Sequence, residues 1–283
     1  MGILEKRKRK MDKWSDDLCE YYGVDEETAL SLGTRASGRK PALPGSKTCK
    51  PVSNMTFEDI WETKERNDNQ SIFQFYIDQG AWSAFRQCVR HKDMSQFHLN
   101  LLSSIMSSSN PRVGYHICEY GCGVSPFLNT FVTYITQDSS NSRISITDVD
   151  GCEHLKFAEW RLKKKIEKRN LPITLDVKPV MHNKLPTYDD KIDLVLIFEV
   201  LEHVPSPVAT IKNLYDQLND NGAIVENFIK HPPRDDDEDD GPDLLSAANE
   251  RDEYYKFLIE KFEFVGGESL KDNQNGTRIW RKK

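Results

Sequence analysis

The sequence predicts a three-layer α/β domain, built on a mostly parallel Rossmann-like sheet with a closing antiparallel hairpin and preceded by an N-terminal helical extension. Three observations lead there. From residue 113 onward, short apolar runs alternate with stretches whose apolar residues recur at helical spacing. A glycine turn, Gly121-Cys122-Gly123, directly follows the first of those runs. Near the end, Phe264-Val265 and Thr277 to Trp280 flank Gly266-Gly267 and Asn275-Gly276, turn signals that suit a hairpin. A repeated βα order needs crossover helices on both faces and so a parallel sheet. Right-handed crossovers bring the loops after the strands to one edge, where a ligand binds.

The elements follow in order. Residues 1–54 read as a flexible arm. They open with Lys6-Arg7-Lys8-Arg9-Lys10 and run into a stretch rich in Gly, Pro, Ser and Lys over 33–53. Residues 55–110 read as a helical aromatic cap: Phe57, Ile60 and Trp61, then Phe73, Tyr76 and Ile77, then Trp82 and Phe85 keep a 3.6-residue period. Leu99, Leu101, Leu102, Ile105 and Met106 close that region. Residues 111–283 form the α/β domain. Strands are expected at 116–120, 144–149, 173–180, 192–198 and 223–229. The intervening helices carry the stripes Phe127-Leu128-Phe131-Val132-Ile135, Leu155-Ala158-Leu162-Ile166 and Val208-Ile211-Leu214-Tyr215-Leu218. Asn221-Gly222 reads as the C-cap of the last of these, and a further helix is expected at 254–262.

Composition limits the function. The 283 residues hold 39 Lys plus Arg against 45 Asp plus Glu, a formal charge of −6. One run, Asp235 to Asp240, supplies six of the acids, so the remainder is formally neutral. A net-acidic chain gives no general support for phosphate-backbone binding. Hydrophobic content of 37% suffices for a core. The longest apolar stretch, 192–198, contains Asp193 and is too short to span a bilayer. Cysteines at 19, 49, 88, 118, 122 and 152 lack paired CxxC spacing and read as reduced thiols in a cytoplasmic protein.

Chemistry concentrates at the expected strand ends. Gly121 and Gly123 lack the Cβ atoms that would keep a ligand away from the backbone. Glu119, just before them, would repel a pyrophosphate but suits a cationic group such as an amino group. A carboxylate after the second strand accepts hydrogen bonds from a ribose diol; Asp150 is preferred and Asp148 is the reserve. After the fourth strand comes Glu199-Val-Leu-Glu202-His203-Val-Pro205, and after the fifth comes His231.

Together these segments resemble the class I S-adenosylmethionine-dependent methyltransferases over about residues 113–230. The glycine turn matches the family's first motif, Asp150 its acidic second-strand motif, and Glu202-His203-Val204-Pro205 with Asn221-Gly222 its fourth- and fifth-strand region. The resemblance implies S-adenosylmethionine as cofactor. It sets Glu119, Gly121 and Gly123 beside the methionine portion and Asp150 or Asp148 at the ribose. Glu199 is counted at the cofactor as well. The family's usual acidic adenine partner is absent, and Asn183 or His182 stands in its place before Leu185-Pro186.

Glu199-x-x-Glu202-His203 also resembles the ExxEH signature of ubiquinone-pathway O-methyltransferases and small-RNA 2′-O-methyltransferases. In that subset the motif holds a divalent metal, which implies Mg²⁺ or Mn²⁺ on Glu199, Glu202, His203 and His231. Without a metal, His203 or His231, with Glu202 beside them, is the natural general base. The reading is methyl transfer to an oxygen of a small-molecule or sugar-like acceptor, contacted by Trp61, Tyr76, Trp82, Phe85 and Arg86. An RNA 2′-O-methyltransferase using the basic arm and the basic 161–169 helix is the alternative; a non-catalytic S-adenosylmethionine-binding scaffold is another. No membrane partner is expected. The acidic run at 235–240 is expected at the ligand-binding edge, as a solvated loop.

Overall fold

The computed structural model describes residues 14–34, 68–108, 114–135, 142–231 and 243–283, with the backbone alone of 106–108. The basic run at 6–10, Phe57, Ile60, Trp61 and the acidic run at 235–240 lie outside the described residues.

Seven strands form one sheet: β1 (His116–Tyr120), β2 (Ser142–Thr147), β3 (Ile173–Val177), β4 (Ile192–Phe198), β5 (Leu218–Asn227), β6 (Phe262–Gly267) and β7 (Arg278–Lys282). Their order across the sheet is β3-β2-β1-β4-β5-β7-β6. The first five pair in parallel, and β7 runs antiparallel to both β5 and β6. The reversal of strand order between β1 and β4 creates the crevice at which sheets of this kind bind ligands.

Alternation along the strands explains why both faces are covered. Ile117, Leu194, Leu196 and Val225 point to one apolar cluster, shared with α6 (Pro126–Tyr134) and α7 (Glu153–Arg169). Cys118, Tyr120, Val195, Ile197 and Ile224 point to the other, shared with α8 (Pro207–Gln217) and α9 (Leu245–Lys261). With a strand period of two, each run must be apolar at every position, as 192–198 nearly is. Ser206 caps α8 by accepting from the Ala209 amide at 3.1 Å, with Pro207 at the first helical position.

One expectation changes here. Asn221-Gly222 does not cap α8, which ends at Gln217; both residues lie inside β5. Asn221 takes a left-handed φ of 63° where the β4–β5 register shifts, so the pair forms a bulge rather than a stop. The hairpin expectation holds, and a buried network anchors it. Arg278, 0% exposed, donates to Glu226 at 3.3 Å and to the carbonyls of Gly276, Asn273 and Gln274.

The described part of residues 1–54 is helical. Within 14–34 the chain forms α1 (Asp16–Tyr22) and α2 (Glu26–Gly33), the latter capped by Asp25 accepting from the Thr28 amide at 2.7 Å. Leu18, Ala29 and Leu32 pack with Phe85 and Phe157 in a third apolar cluster. The aromatic cap is three helices where described: α3 (Asn69–Asp78), α4 (Gly80–Arg90) and α5 (Ser95–Ser108). The single stripe expected through Phe85 breaks at Gln79, which ends α3 and precedes α4.

Asp17 ties α1 to the domain. Its carboxylate lies 3.2 Å from Lys164, 3.3 Å from Lys165 and 3.7 Å from Arg161, all on α7. Burial alone would raise this carboxyl, but Lys165, Arg161 and Lys164 together hold it below the ordinary carboxylate range.

Candidate functional site

A cavity of about 1490 Å³ opens over the C-terminal ends of β1, β2, β4 and β5. Its roof comes from α3, α4 and the start of α5, including Tyr76, Gln87, Arg90 and His98. Pockets for one drug-sized ligand occupy roughly 300–1,000 Å³, so this volume accommodates two molecules side by side.

The glycine turn forms one wall. Gly121 and Gly123 adopt φ of 62° and 50°, and a Cβ at either would run into protein, Val200 at the first and Gln87 at the second. The glycines therefore seat the chain's own side chains as well as clearing a ligand's path. Gln87 reaches down from α4, and its Oε1 accepts from the Val124 amide at 3.0 Å. Glu119 is 4% exposed, and its carboxylate closes the N-terminus of α6. It accepts from the Ser125 hydroxyl at 2.7 Å and from the amides of Leu128 at 2.9 Å and Phe127 at 3.3 Å. Burial pushes its carboxyl up to about 7, against the lowering effect of those same donors. Glu119 lines the cavity, but the partners it holds are helix donors rather than a cation.

At the end of β2 the two candidate carboxylates separate. Asp148 lines the cavity, accepting from the Gly123 amide at 2.7 Å and the Val149 amide at 2.7 Å. Asp150 is exposed and lies away from the lining residues. It follows an isolated Val149–Val180 bridge that carries the chain away past the strand end. His182 and Asn183 sit in the turn between Met181 and Lys184 and both border the cavity.

The ExxEH segment follows β4. Glu199 takes a left-handed φ of 54° and pairs with Arg90 of α4, while its amide donates to the Asn227 side chain at 2.7 Å. Glu202 lies in a short 3₁₀ turn (Leu201–His203), 0% exposed and away from the cavity lining. Burial pushes its carboxyl well above the ordinary range. His203 and His231 both line the cavity, with ring centroids 6.1 Å apart and planes 18° apart.

These four residues do not fit one metal ion. Glu199 is committed to Arg90, and His231 Nδ1 to Asp243. Glu202 and His203 Nε2 approach to 4.0 Å, but no third ligand atom of the set joins that pair within 4.8 Å. Among the described residues, the atoms that do lie within 4.8 Å of one another belong to Asp148, Cys152 and His154.

The cap contributes differently from expectation. Tyr76 and Arg86 line the cavity. Phe85 is 0% exposed and packs on Tyr22 with centroids 4.8 Å apart, so it is core. Trp82 lies off the cavity lining, with the Arg86 guanidinium 5.9 Å from its ring centroid.

Three groups escape sequence reasoning. Asp243, 8% exposed, holds His231 Nδ1 at 2.7 Å and its amide at 3.2 Å. It stands twelve residues away, beyond an acidic run, with no motif to flag it. His91 and His98 face each other across the α4–α5 junction with ring centroids 5.4 Å apart. Arg90 and Gln87, both on α4, gave no signal beyond helical spacing.

A model of the methyltransferase-domain family matches residues 90–257, more than half of the chain. No curated protein matches. Among solved structures, the chain is similar to an amino pentose methyltransferase from Micromonospora echinaspora involved in calicheamicin biosynthesis, bound to S-adenosylmethionine, at 13% identity, with 69% of this chain and 93% of that one covered and a TM-score of 0.48. It is also similar to magnesium protoporphyrin IX methyltransferase from Synechocystis PCC 6803 with bound S-adenosylmethionine, at 16% identity, 77% and 98% coverage and a TM-score of 0.46. A third is an O-methyltransferase from Bacillus cereus in complex with S-adenosylhomocysteine, at 15% identity, 67% and 80% coverage and a TM-score of 0.43.

Proposed function

The chain belongs to the methyltransferase-domain family, and from that premise we propose that it transfers a methyl group from S-adenosylmethionine to a hydroxyl of a small-molecule or sugar-like acceptor, with His231 as the base. The observation that carries this reading is the His231–Asp243 pair on the cavity that borders the glycine turn.

The bound donor supplies an electrophilic methyl group on a sulfonium and a neutral thioether leaving group. The protein's part is to hold the two reactants in line and to remove the acceptor's proton. Asp148 is the residue for the ribose: its Oδ1 accepts from the Val149 amide and the Cys152 thiol, while its Oδ2 accepts one amide and keeps a further lone pair. Asn183 or His182 borders the region expected for the adenine. Asp243 accepts from Nδ1–H of His231, which fixes the tautomer and leaves Nε2 as the proton acceptor. Once Nε2 takes the acceptor's proton, the Asp243 carboxylate offsets the imidazolium charge.

The cavity volume supports a donor and a compact acceptor together. An RNA acceptor is less well supported, because part of the basic 161–169 stretch of α7 is paired within the chain. Arg161, Lys164 and Lys165 pair with Asp17, and Lys164 also pairs with Glu20. Metal assistance through the ExxEH residues has no place in this reading, since their ligand atoms do not converge.

Radiolabelled methyl transfer into a cell extract tests it. Label should appear in small molecules, survive nuclease treatment and disappear with His231→Gln. Label confined to nuclease-sensitive material rejects the small-molecule acceptor.

A further inference from the structure

The start of α7 departs from ordinary helix capping, and it does so beside the cavity. N-cap positions favour Ser, Thr, Asp or Asn, whose side-chain oxygen takes an amide of the first turn. Here Cys152 is the N-cap residue and makes no side-chain cap. It is 0% exposed, and its thiol turns instead to Asp148 Oδ1 at 3.8 Å. His154, two residues on, is 2% exposed, and its Nε2 is buried with no hydrogen-bond partner. A buried nitrogen left in that state costs about 1–3 kcal/mol. A sulfur, a ring nitrogen and a carboxylate oxygen of these three residues all lie within 4.8 Å of one another. The proposed methyl transfer uses only Asp148 among them.

The donor set selects its ligand. A thiolate, an imidazole and a carboxylate together suit Zn²⁺, whereas Mg²⁺ and Ca²⁺ prefer oxygen alone. Tetrahedral zinc, with bonds of about 2.0–2.3 Å, holds its ligand atoms roughly 3.3–3.8 Å apart. The Cys152–Asp148 separation already meets that spacing, and a shift of at most about 1 Å in the imidazole closes the rest. Asp148 and His154 both line the cavity, so an ion reaches the three residues from there. Burial, and after it the Asp148 charge, pushes the Cys152 thiol up and keeps it protonated until an ion arrives. Binding then breaks the S–H bond: the sulfur keeps the electron pair for the metal, and the proton leaves to solvent. The ion thus replaces the proton that Cys152 shares with Asp148.

We propose that Asp148, Cys152 and His154 form a zinc site that opposes binding of the methyl donor. The opposition rests on the donor reading, because it runs through the carboxylate assigned to the ribose. Asp148 turns Oδ1 to Cys152, while Oδ2 takes the Gly123 amide and keeps a lone pair for the ribose. A dication on Oδ1 withdraws charge from the whole carboxylate, so the ribose hydroxyl meets a weaker acceptor. The coupling is reciprocal: zinc weakens the donor by the same factor as the donor weakens zinc.

The test uses the full chain, stripped of metal with a chelator, kept reduced, and titrated with Co²⁺ as a coloured substitute for zinc. Co²⁺ should bind with a thiolate-to-cobalt absorption band that Zn²⁺ bleaches and Mg²⁺ does not. Cys152→Ser keeps a donor toward Asp148 but is a poor zinc ligand. It should remove the band and weaken Zn²⁺ at least roughly hundredfold, beyond the usual cost of losing only an outer partner. Its affinity for S-adenosylhomocysteine without metal should stay within about threefold of the wild type. Saturating Zn²⁺ should weaken S-adenosylhomocysteine at least roughly tenfold in the wild type and not in Cys152→Ser. His154→Gln gives a second variant if Cys152→Ser folds poorly. Folded wild-type protein without the band, or a band that survives Cys152→Ser, overturns the site. A band that depends on Cys152 beside an S-adenosylhomocysteine affinity indifferent to zinc overturns the opposition. Metal-free wild-type protein that binds no S-adenosylhomocysteine overturns the donor reading and the opposition with it, while a Cys152-dependent band still upholds the metal site.

Discussion

Asp243 Oδ1 lies 2.7 Å from His231 Nδ1, so a buried carboxylate fixes the orientation of an imidazole that borders the cavity. Asp243 also stands 3.7 Å from Arg251, which holds it from behind. Asp243→Asn keeps the shape but removes the charge that offsets an imidazolium. The expected result is a loss of about 10²- to 10⁴-fold in turnover, the usual worth of a positioned base and its partner. S-Adenosylhomocysteine binding, measured alongside by calorimetry, should change little.

The glycine turn makes a steric prediction. Gly123→Ala places a Cβ against the Gln87 side chain at a φ of 50°. The left-handed backbone costs about 1–2 kcal/mol for a side-chain-bearing residue, and the clash adds to it. Gln87→Ala in the same chain should relieve the clash and leave the backbone cost. Thermal unfolding of the two single variants and the double variant separates these contributions; strict additivity would argue that Gln87 does not press on the turn.

Docking of the N-terminal helices depends on Asp17. Asp17→Asn removes the carboxylate that pairs with Arg161 and Lys165, whose side chains are each 9% exposed. Breaking a buried pair from one side typically costs about 3–5 kcal/mol. Urea unfolding should register that loss, and limited proteolysis should cut more rapidly near α1.

A pH prediction follows from the depressed imidazoles. With His91 at about 3 and His98 at about 4, against an ordinary 6.5, the folded chain binds fewer protons than the unfolded chain between those values. Stability is therefore fully present above pH 6.5 and falls as the pH drops toward 4. Glu119 and Glu226, both raised to about 7, act oppositely, losing stability as pH rises from about 4.5 to 7. His98→Phe removes one acid-side contribution and leaves the glutamates in place. Relative to the wild type, its stability at pH 7 minus that at pH 4.5 should shift by roughly 2–3 kcal/mol toward greater stability at pH 4.5, read from urea midpoints at the two pH values.

Features set by short-range period were legible in the sequence. The 192–198 strand coincides with β4, and Phe127, Leu128, Phe131 and Val132 lie on α6 as their spacing predicts. Features set by the meeting of distant segments were not. Asn221-Gly222 has the composition of a helix stop, and only pairing with β4 makes it a bulge. Asp148 and Asp150 both follow β2, and the Val149–Val180 bridge decides which one meets the cavity. Phe85 has the helical spacing of a cap residue, but α1, unread in the sequence, covers it with Tyr22. The Asp25–Thr28 cap at the start of α2 was a readable signal that the arm contained helix. Asp243 and the His91–His98 pair have no local signature, because each depends on loops that bring separate elements together.

Calorimetric titration with S-adenosylhomocysteine tests the assignment of this cavity most directly. One molecule should bind per chain in the wild type, and Asp148→Ala should weaken it at least roughly tenfold, while Asp150→Ala should not. Absence of binding in folded wild-type protein, or loss with Asp150→Ala alone, would contradict the assignment.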